Sequence, residues 1–383
     1  MKRALGMKKK ILYVDNRSQY FVSHRLPLAV AVRDQLADVH VTTLSRREED
    51  INVIASNGMS FHKLAHNSND RSVVRPLMLG FELAKLFKEL RPDLIHFFTL
   101  KAMCVGGFAF VLAKKSNVLM TVTGLGYAFT SRSFKARLLG TAVSTIMPSL
   151  LKRAGDDFIF QNQDDLAVFR DQFRFARERL YLIRGSGVDT SRYTILAEKL
   201  GIPTVILVSR MLRDKGIVEF VEAASSLKLE GVQARFVLVG DPDPENPAGI
   251  PASQLKEWDE SGVIEWRGYC HDMLSLFSEA HIVCLPSYRE GLPKVLIEAA
   301  ACGRPIVTTD APGCREVVRH QENGLLVPPR DPHALAAALR VLITNPELRA
   351  SMGRNGRSLA ESEFSMERVI KENFKLYERI LDN

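Results

Sequence analysis

Short apolar runs alternate with longer amphipathic stretches along the whole chain. In the first half, Lys10–Val14, Val39–Leu44, Phe61–Leu64, Leu94–Phe98, Val118–Val122, Asp157–Phe160 and Leu180–Ile183 have the length and residue types of strands. Helices are predicted between them over Phe21–Leu36, Glu48–Ser56, Arg71–Leu90, Met103–Lys115, Phe134–Arg153 and Asn162–Phe173. The second half repeats the scheme. Strands are predicted at Thr204–Val208, Ala234–Gly240, Val263–Trp266, Ala280–Leu285, Ile306–Thr309 and Gly324–Val327. The helices there end at Leu227 or cover Val295–Cys302, 331–343, 346–359 and Phe364–Leu381. Strand–helix alternation of this kind predicts an α/β protein with doubly wound parallel sheets. A chain of 383 residues is long for one core, so two domains are expected.

Composition changes little: 25% charged and 46% hydrophobic residues are ordinary for a globular protein. The five cysteines (Cys104, Cys270, Cys284, Cys302 and Cys314) lack metal-type spacing, which points to reduced thiols in the cytoplasm. No signal peptide is evident, and the longest uncharged runs fall short of the roughly 20 apolar residues of a spanning helix. A soluble or peripheral protein is expected.

Charge distribution is more informative. Residues 1–187 hold 29 Lys and Arg against 16 Asp and Glu, net +13; the remainder holds 23 against 28, net −5. Residues 94–155 contain no acid but eight Lys or Arg. A basic first half suits nucleic acid, an anionic membrane or a phosphorylated substrate. It contains no recognised nucleic-acid motif, and its aromatics are not interleaved with its charges, so no nucleic-acid partner is expected. Phe129–Arg153 carries Arg132, Lys135, Arg137, Lys152 and Arg153 among Phe134, Leu138, Leu139 and Ile146. That mixture suits either an interfacial amphipathic helix or a core helix with basic edges.

The stretch that carries chemistry is Ser287-Tyr-Arg-Glu290-Gly291-Leu292-Pro293-Lys294-Val-Leu-Ile-Glu298. It reads as a strand end, a tight turn and a helix start. Free amides at Gly291, Leu292 and Lys294 there suit a phosphate. Glu298 is the only charge between Lys294 and Arg304, so it is a ligand contact, an exposed Glu on a core helix, or one half of a structural ion pair. Earlier, Arg210 and Lys215 bracket a second strand-to-helix turn suited to an anion.

Glu290 and Glu298, within Glu-Gly-Leu-Pro and at Glu-x7-Glu spacing, resemble the signature of the retaining GT-B glycosyltransferases. The likeness is to the family 4-like branch that includes bacterial cell-envelope and polyprenyl-diphosphate-sugar enzymes. Arg210-x4-Lys215-Gly216 resembles that group's diphosphate segment, and Leu182-Ile-Arg-Gly185-Ser-Gly187-Val-Asp189 its domain junction. Thr123-Gly124-Leu-Gly126-Tyr127 resembles a substrate loop of the same enzymes. The first turn, Ser23-His24-Arg25-Leu-Pro27, resembles a subset acting on lipid-linked sugars, and it lacks the glycine pair that many members carry. Many members also have His-x-His where this chain has His96-Phe-Phe98, so no catalytic histidine carries over.

The resemblance implies two Rossmann-like domains facing across a cleft: residues 1–187 for the acceptor, 188–363 for the donor, and a helix 364–383 crossing back. It implies transfer, with retention, of an N-acetylhexosamine or hexose from a UDP-sugar to a lipid-linked saccharide. Glu290 would contact the sugar, Glu298 the ribose, Arg210 and Lys215 the diphosphate, and the Gly291–Lys294 turn the sugar and diphosphate. On the acceptor side it points to Gly124, Gly126, His24 and Lys101, and it sets Arg267 near the base. His96, on an apolar strand, reads as a core residue. No metal or other cofactor is expected; Asp241-Pro-Asp243 has no further ligands and reads as a loop. The enzyme would sit peripherally on the inner face of the cytoplasmic membrane. A GT-B sugar-nucleotide epimerase is the alternative enzyme.

Overall fold

A computed structural model describes residues 8–67, 75–113, 116–125 and 157–382. Gly126 and the predicted helix Phe134–Arg153 lie outside the described residues. The chain forms two compact units, Met1–Ser186 with Val369–Asn383, and Gly187–Arg368.

The first unit is built on seven strands: β1 (Lys10–Arg17), β2 (Asp38–Ser45), β3 (Ser60–Phe61), β4 (Leu94–Phe98), β5 (Asn117–Val122), β6 (Asp157–Phe160) and β7 (Leu180–Leu182). They lie in the order 3-2-1-4-5-6-7, and every pairing is parallel. All five residues of β4 are buried, as a strand covered on both faces requires. The strand order reverses between β1 and β4, and the crevice beyond their carboxyl ends is where open α/β sheets bind ligands.

Two local expectations are corrected here. The chain after Val14 is not a turn: β1 runs on to Arg17, with Asp15 buried. The single helix Phe21–Leu36 is two helices, Ser18–His24 and Leu26–Gln35, broken at Arg25. Pro27 falls in the first turn of the second, where its missing N–H breaks no helical bond.

The last helix, Met366–Asp382, buries Val369, Asn373, Leu376, Tyr377 and Ile380, a stripe of period 3.6. From Val369 onward it belongs to the first unit and packs on Ile11, Tyr13, Leu94 and Phe98. It carries a buried polar chain. Tyr377 Oη lies 3.2 Å from Tyr13 Oη and 2.7 Å from His96 Nδ1, and His96 Nε2 lies 2.7 Å from Thr121 Oγ1. Burial first, and then the Arg25 charge, hold the His96 imidazole well below its ordinary pKa.

A histidine kept neutral in the fold costs stability when the unfolded chain takes up its proton. That cost is absent above the unfolded pKa of about 6.5 and grows by about 1.4 kcal/mol per pH unit below it. Asp15 acts oppositely: burial raises its pKa to about 6, against Arg25, so acid relieves a penalty there. Comparing wild type with His96→Gln isolates the histidine. The stability advantage of wild type, measured by denaturant unfolding, should shrink between pH 7 and pH 5. A constant difference would exclude a neutral buried His96.

The second unit has six parallel strands: β8 (Thr204–Val208), β9 (Arg235–Val239), β10 (Glu265–Trp266), β11 (Ile282–Leu285), β12 (Ile306–Thr309) and β13 (Gly324–Val327). Their order is 10-9-8-11-12-13, so this sheet reverses between β8 and β11. Helices Pro332–Thr344 and Pro346–Glu363 start as Asp331-Pro and Asn345-Pro, with each polar side chain accepting an amide of its first turn. Helices Ala252–Glu260 and Met273–Glu279 have no counterpart in the sequence reading. The first buries only Leu255 and the second is a seven-residue helix, too little for a legible apolar stripe.

Candidate active site

Two loops meet at the reversal of the second sheet. The loop after β8 carries Arg210 and Lys215, and the loop after β11 carries Glu290. Gly216 makes the meeting possible. It is left-handed (φ 73°), and a Cβ there would lie 2.2 Å from the Pro286 carbonyl oxygen, so no other residue fits without displacing backbone. The Asp214 carbonyl then accepts from the Tyr288 amide (2.9 Å) and from Ser287 Oγ (3.1 Å).

Lys215 Nζ lies 2.5 Å from Glu290 Oε1, with the two side chains 19% and 13% exposed. Burial alone would lower the Lys215 pKa. The Glu290 carboxylate, by charge and hydrogen bond, outweighs it and leaves the ammonium raised. Glu290 is fixed from a third loop as well. Its amide donates to the Pro312 carbonyl at 2.9 Å, and Gly313 (φ 80°) lies against it, a Cβ there falling 2.5 Å from the Glu290 carbonyl oxygen.

The helix after this turn runs Lys294–Ala301, with Pro293 as its N-cap rather than its first residue. Its positive end therefore falls at the Glu290–Pro293 turn. Glu298 is 5% exposed and lies 3.3 Å from Lys294 Nζ, one helical turn back. Tyr193 is its second neighbour. Burial first, and then the charge of Glu298 and a hydrogen bond to it, push the Tyr193 phenol up, so its hydroxyl remains a donor. The ion pair weighed for Glu298 thus exists, on a carboxylate that also lies inside the site.

Arg210 Nη1 lies 2.8 Å from Asp243 Oδ2, in the loop after β9. Asp241-Pro-Asp243 is a loop, and its second carboxylate neutralises a cation. Among the described residues no group of three or more His, Cys, Asp or Glu is arranged to hold a metal. Arg267 stands apart, at the end of edge strand β10, with its guanidinium between Glu265 (2.6 Å) and Glu279 (2.9 Å).

In the first unit the structure places Lys101 on the first turn of helix Leu100–Ala113, exposed, at the end of β4. Gly124 follows β5 with φ 120°. His24 ends its helix, its Nδ1 2.7 Å from Ser23 Oγ. Beside the half-buried His24, Arg25 is buried: it is 6% exposed, over the Phe98 ring at 4.6 Å. His96 is fully buried, away from any surface.

Sequence reasoning missed Tyr193, Gly313, and the trio Tyr288, Glu219 and Arg330, and it read Asp243 as loop without its ion pair to Arg210. The signal for Gly313 was present. Ala311-Pro-Gly313 follows the predicted strand Ile306–Thr309, and Pro-Gly there marks a turn at the end of that strand. The others are brought in from distant positions by tertiary folding, and no local pattern marks them.

Two successive doubly wound parallel sheets, each reversing once, define the GT-B architecture. Two protein-family models match the chain: Glycosyl transferases group 1 over residues 194–359, and Glycosyl transferase 4-like over residues 10–162. The chain belongs to the glycosyltransferases of GT-B fold. It is 28% identical to the N,N'-diacetylbacillosaminyl-diphospho-undecaprenol alpha-1,3-N-acetylgalactosaminyltransferase of Campylobacter jejuni, over 94% of this chain and 96% of that protein. It is 24% identical to the capsular polysaccharide biosynthesis glycosyltransferase CapM of Staphylococcus aureus, over 88% and 92%. Among solved structures it superposes on a sucrose-phosphate synthase from Thermosynechococcus elongatus (TM-score 0.80, 20% identity, 98% and 100% covered). It also superposes on Anabaena HepE in complex with UDP and glucose (0.77, 19%, 97% and 100%). Both family models and both relatives are glycosyltransferases, which favours transfer over the epimerase. No described helix is long and apolar enough to cross a membrane.

Proposed function

We propose that this enzyme transfers a hexose or N-acetylhexosamine, with retention, from a UDP-sugar to a lipid-linked saccharide in bacterial polysaccharide or glycan assembly. The observation that carries the donor half is the Lys215–Glu290 pair at the reversal point, beside a helix N-terminus and Glu298. A cation and a helix dipole suit a diphosphate; a carboxylate nearby suits sugar hydroxyls. Glu290 contacts the transferred sugar and Glu298 the ribose.

For the reaction, Arg210, Lys215 and the helix N-terminus stabilise charge as it develops on the leaving diphosphate. Retention by double displacement needs a carboxylate nucleophile beside the sugar. Residues 94–155 offer none, and Asp15 is buried beside the Arg25 charge with its carboxylate accepting from the Asn16 amide at 2.6 Å. This fits a front-face route, in which Glu290 holds sugar hydroxyls rather than attacking and the leaving phosphate takes the acceptor proton.

The acceptor half rests on the basic first half, on Lys101 at the reversal of the first sheet, and on the diphospho-undecaprenol named for the Campylobacter relative. The same basic surface would hold the enzyme peripherally on anionic lipid at the inner face of the cytoplasmic membrane. Incubation with UDP-GlcNAc, UDP-GalNAc, UDP-glucose or UDP-galactose and a polyprenyl-diphosphate-sugar in anionic vesicles tests both halves. We expect one donor to give a lipid-linked product whose anomeric configuration, read by NMR, matches the donor. Inversion would overturn the retaining route, and no product with any UDP-sugar the donor class.

A further inference from the structure

Tyr288, between the end of β11 and Glu290, is gripped from two sides. Its hydroxyl donates to Glu219 Oε1 at 2.5 Å, from helix Ile217–Leu229. The Arg330 guanidinium lies over its ring, 4.2 Å from the centroid. Burial first, and then the Glu219 hydrogen bond, push the phenol pKa up with Arg330 opposing, so the hydroxyl stays a donor. Glu219 is itself buried, and its Oε2 has no partner among the described residues, so the Tyr288 hydroxyl is an important contact for that carboxylate.

Arg330 is one of five described non-glycine residues with positive φ. It is exposed, in the loop after β13, yet it adopts φ 61°, where an L-residue is strained and glycine is not. That conformation sets the direction of its side chain. It puts the guanidinium on Tyr288.

The consequence runs along the backbone. Glu290 is two residues beyond Tyr288, and the segment is tied down at both ends: at Tyr288 by Asp214, Glu219 and Arg330, and at Glu290 by the Pro312 carbonyl. We propose that Glu219 and Arg330 clamp Tyr288 and thereby position the Arg289–Gly291 turn, which makes Arg330 a positioning residue for sugar transfer. This rests on the donor reading above.

Arg330→Gly tests it, because that change removes the clamp while relieving the strained backbone. We expect an unchanged or higher melting temperature and UDP affinity by calorimetry within about twofold of wild type. The donor kcat/KM should fall roughly five- to twentyfold. Arg330→Lys, which keeps a cation for the ring, should recover part of the loss, and Tyr288→Phe should reproduce it. A kcat/KM of Arg330→Gly within twofold of wild type overturns the clamp, as does a loss matched by falling melting temperature or confined to UDP affinity. Wild-type enzyme inactive with every UDP-sugar would instead overturn the donor reading.

Discussion

Lys215→Ala should lose UDP affinity by roughly ten- to a hundredfold, the equivalent of one charge-assisted hydrogen bond of about 1.5–3 kcal/mol. Its sugar-transfer activity should fall further. Two losses combine: the diphosphate loses a cation, and Glu290, only 13% exposed, loses the ammonium 2.5 Å from it. A carboxylate so covered and so abandoned either takes up a proton or turns toward water. The reciprocal variant separates these effects. With donor absent, Glu290 occupies the same ammonium that the diphosphate would take. Glu290→Gln should therefore bind UDP as tightly as wild type or more tightly, while transferring sugar poorly. Calorimetry with UDP, set beside steady-state rates, decides the matter. Equal UDP affinity in Lys215→Ala and wild type would remove Lys215 from the diphosphate site.

The largest stability effect is expected at Tyr377. Its ring is fully buried in the first unit, and its hydroxyl links Tyr13 and His96. Truncating a buried aromatic to alanine costs about 3–5 kcal/mol. Leaving His96 without its partner adds about 1–3 kcal/mol. Tyr377→Ala should therefore lose about 4–8 kcal/mol, a large share of a typical domain's stability of about 5–15 kcal/mol. Tyr377→Phe keeps the ring and should forfeit only the polar part. The second unit, whose core contains none of these residues, should keep its own unfolding transition. If Tyr377→Ala and Tyr377→Phe unfold at the same denaturant concentration, the packing of this helix is not what holds the first unit.

The fold was legible wherever one residue pattern decides one element. Leu94–Phe98, Thr204–Val208 and Ile306–Thr309 are short runs dominated by apolar and β-branched residues, and each is a strand with those bounds. The helix Ala252–Glu260 was not legible because one buried leucine makes no stripe. Within the site, Glu290, Arg210 and Lys215 stand out as charges at strand-to-helix turns, where an anionic ligand would bind, and Glu298 as the lone acid on an apolar helix. Which charge answers which did not follow from position. The sequence reading gave Lys215 to the diphosphate and Glu290 to the sugar, with no hint that the two face each other, because their pairing depends on Gly216 pressing against Pro286. Arg330 was invisible for a related reason: its significance lies in a backbone angle and a ring 42 positions away in sequence.

The last helix has a consequence for the birth of the protein. The first unit is discontinuous: its final segment, Val369–Asn383, is translated only after all of Gly187–Arg368. At about 5–20 residues per second, those intervening residues take the ribosome roughly ten to forty seconds. Throughout that interval the sheet face bearing Ile11, Tyr13, Leu94 and Phe98 lacks its covering helix, and the polar side chains of Tyr13 and His96 lack Tyr377. The part made first is thus the part finished last. A nascent chain of this design presents an apolar sheet to chaperones while its downstream half folds, and a stalled or truncated product ending before Val369 carries that surface permanently.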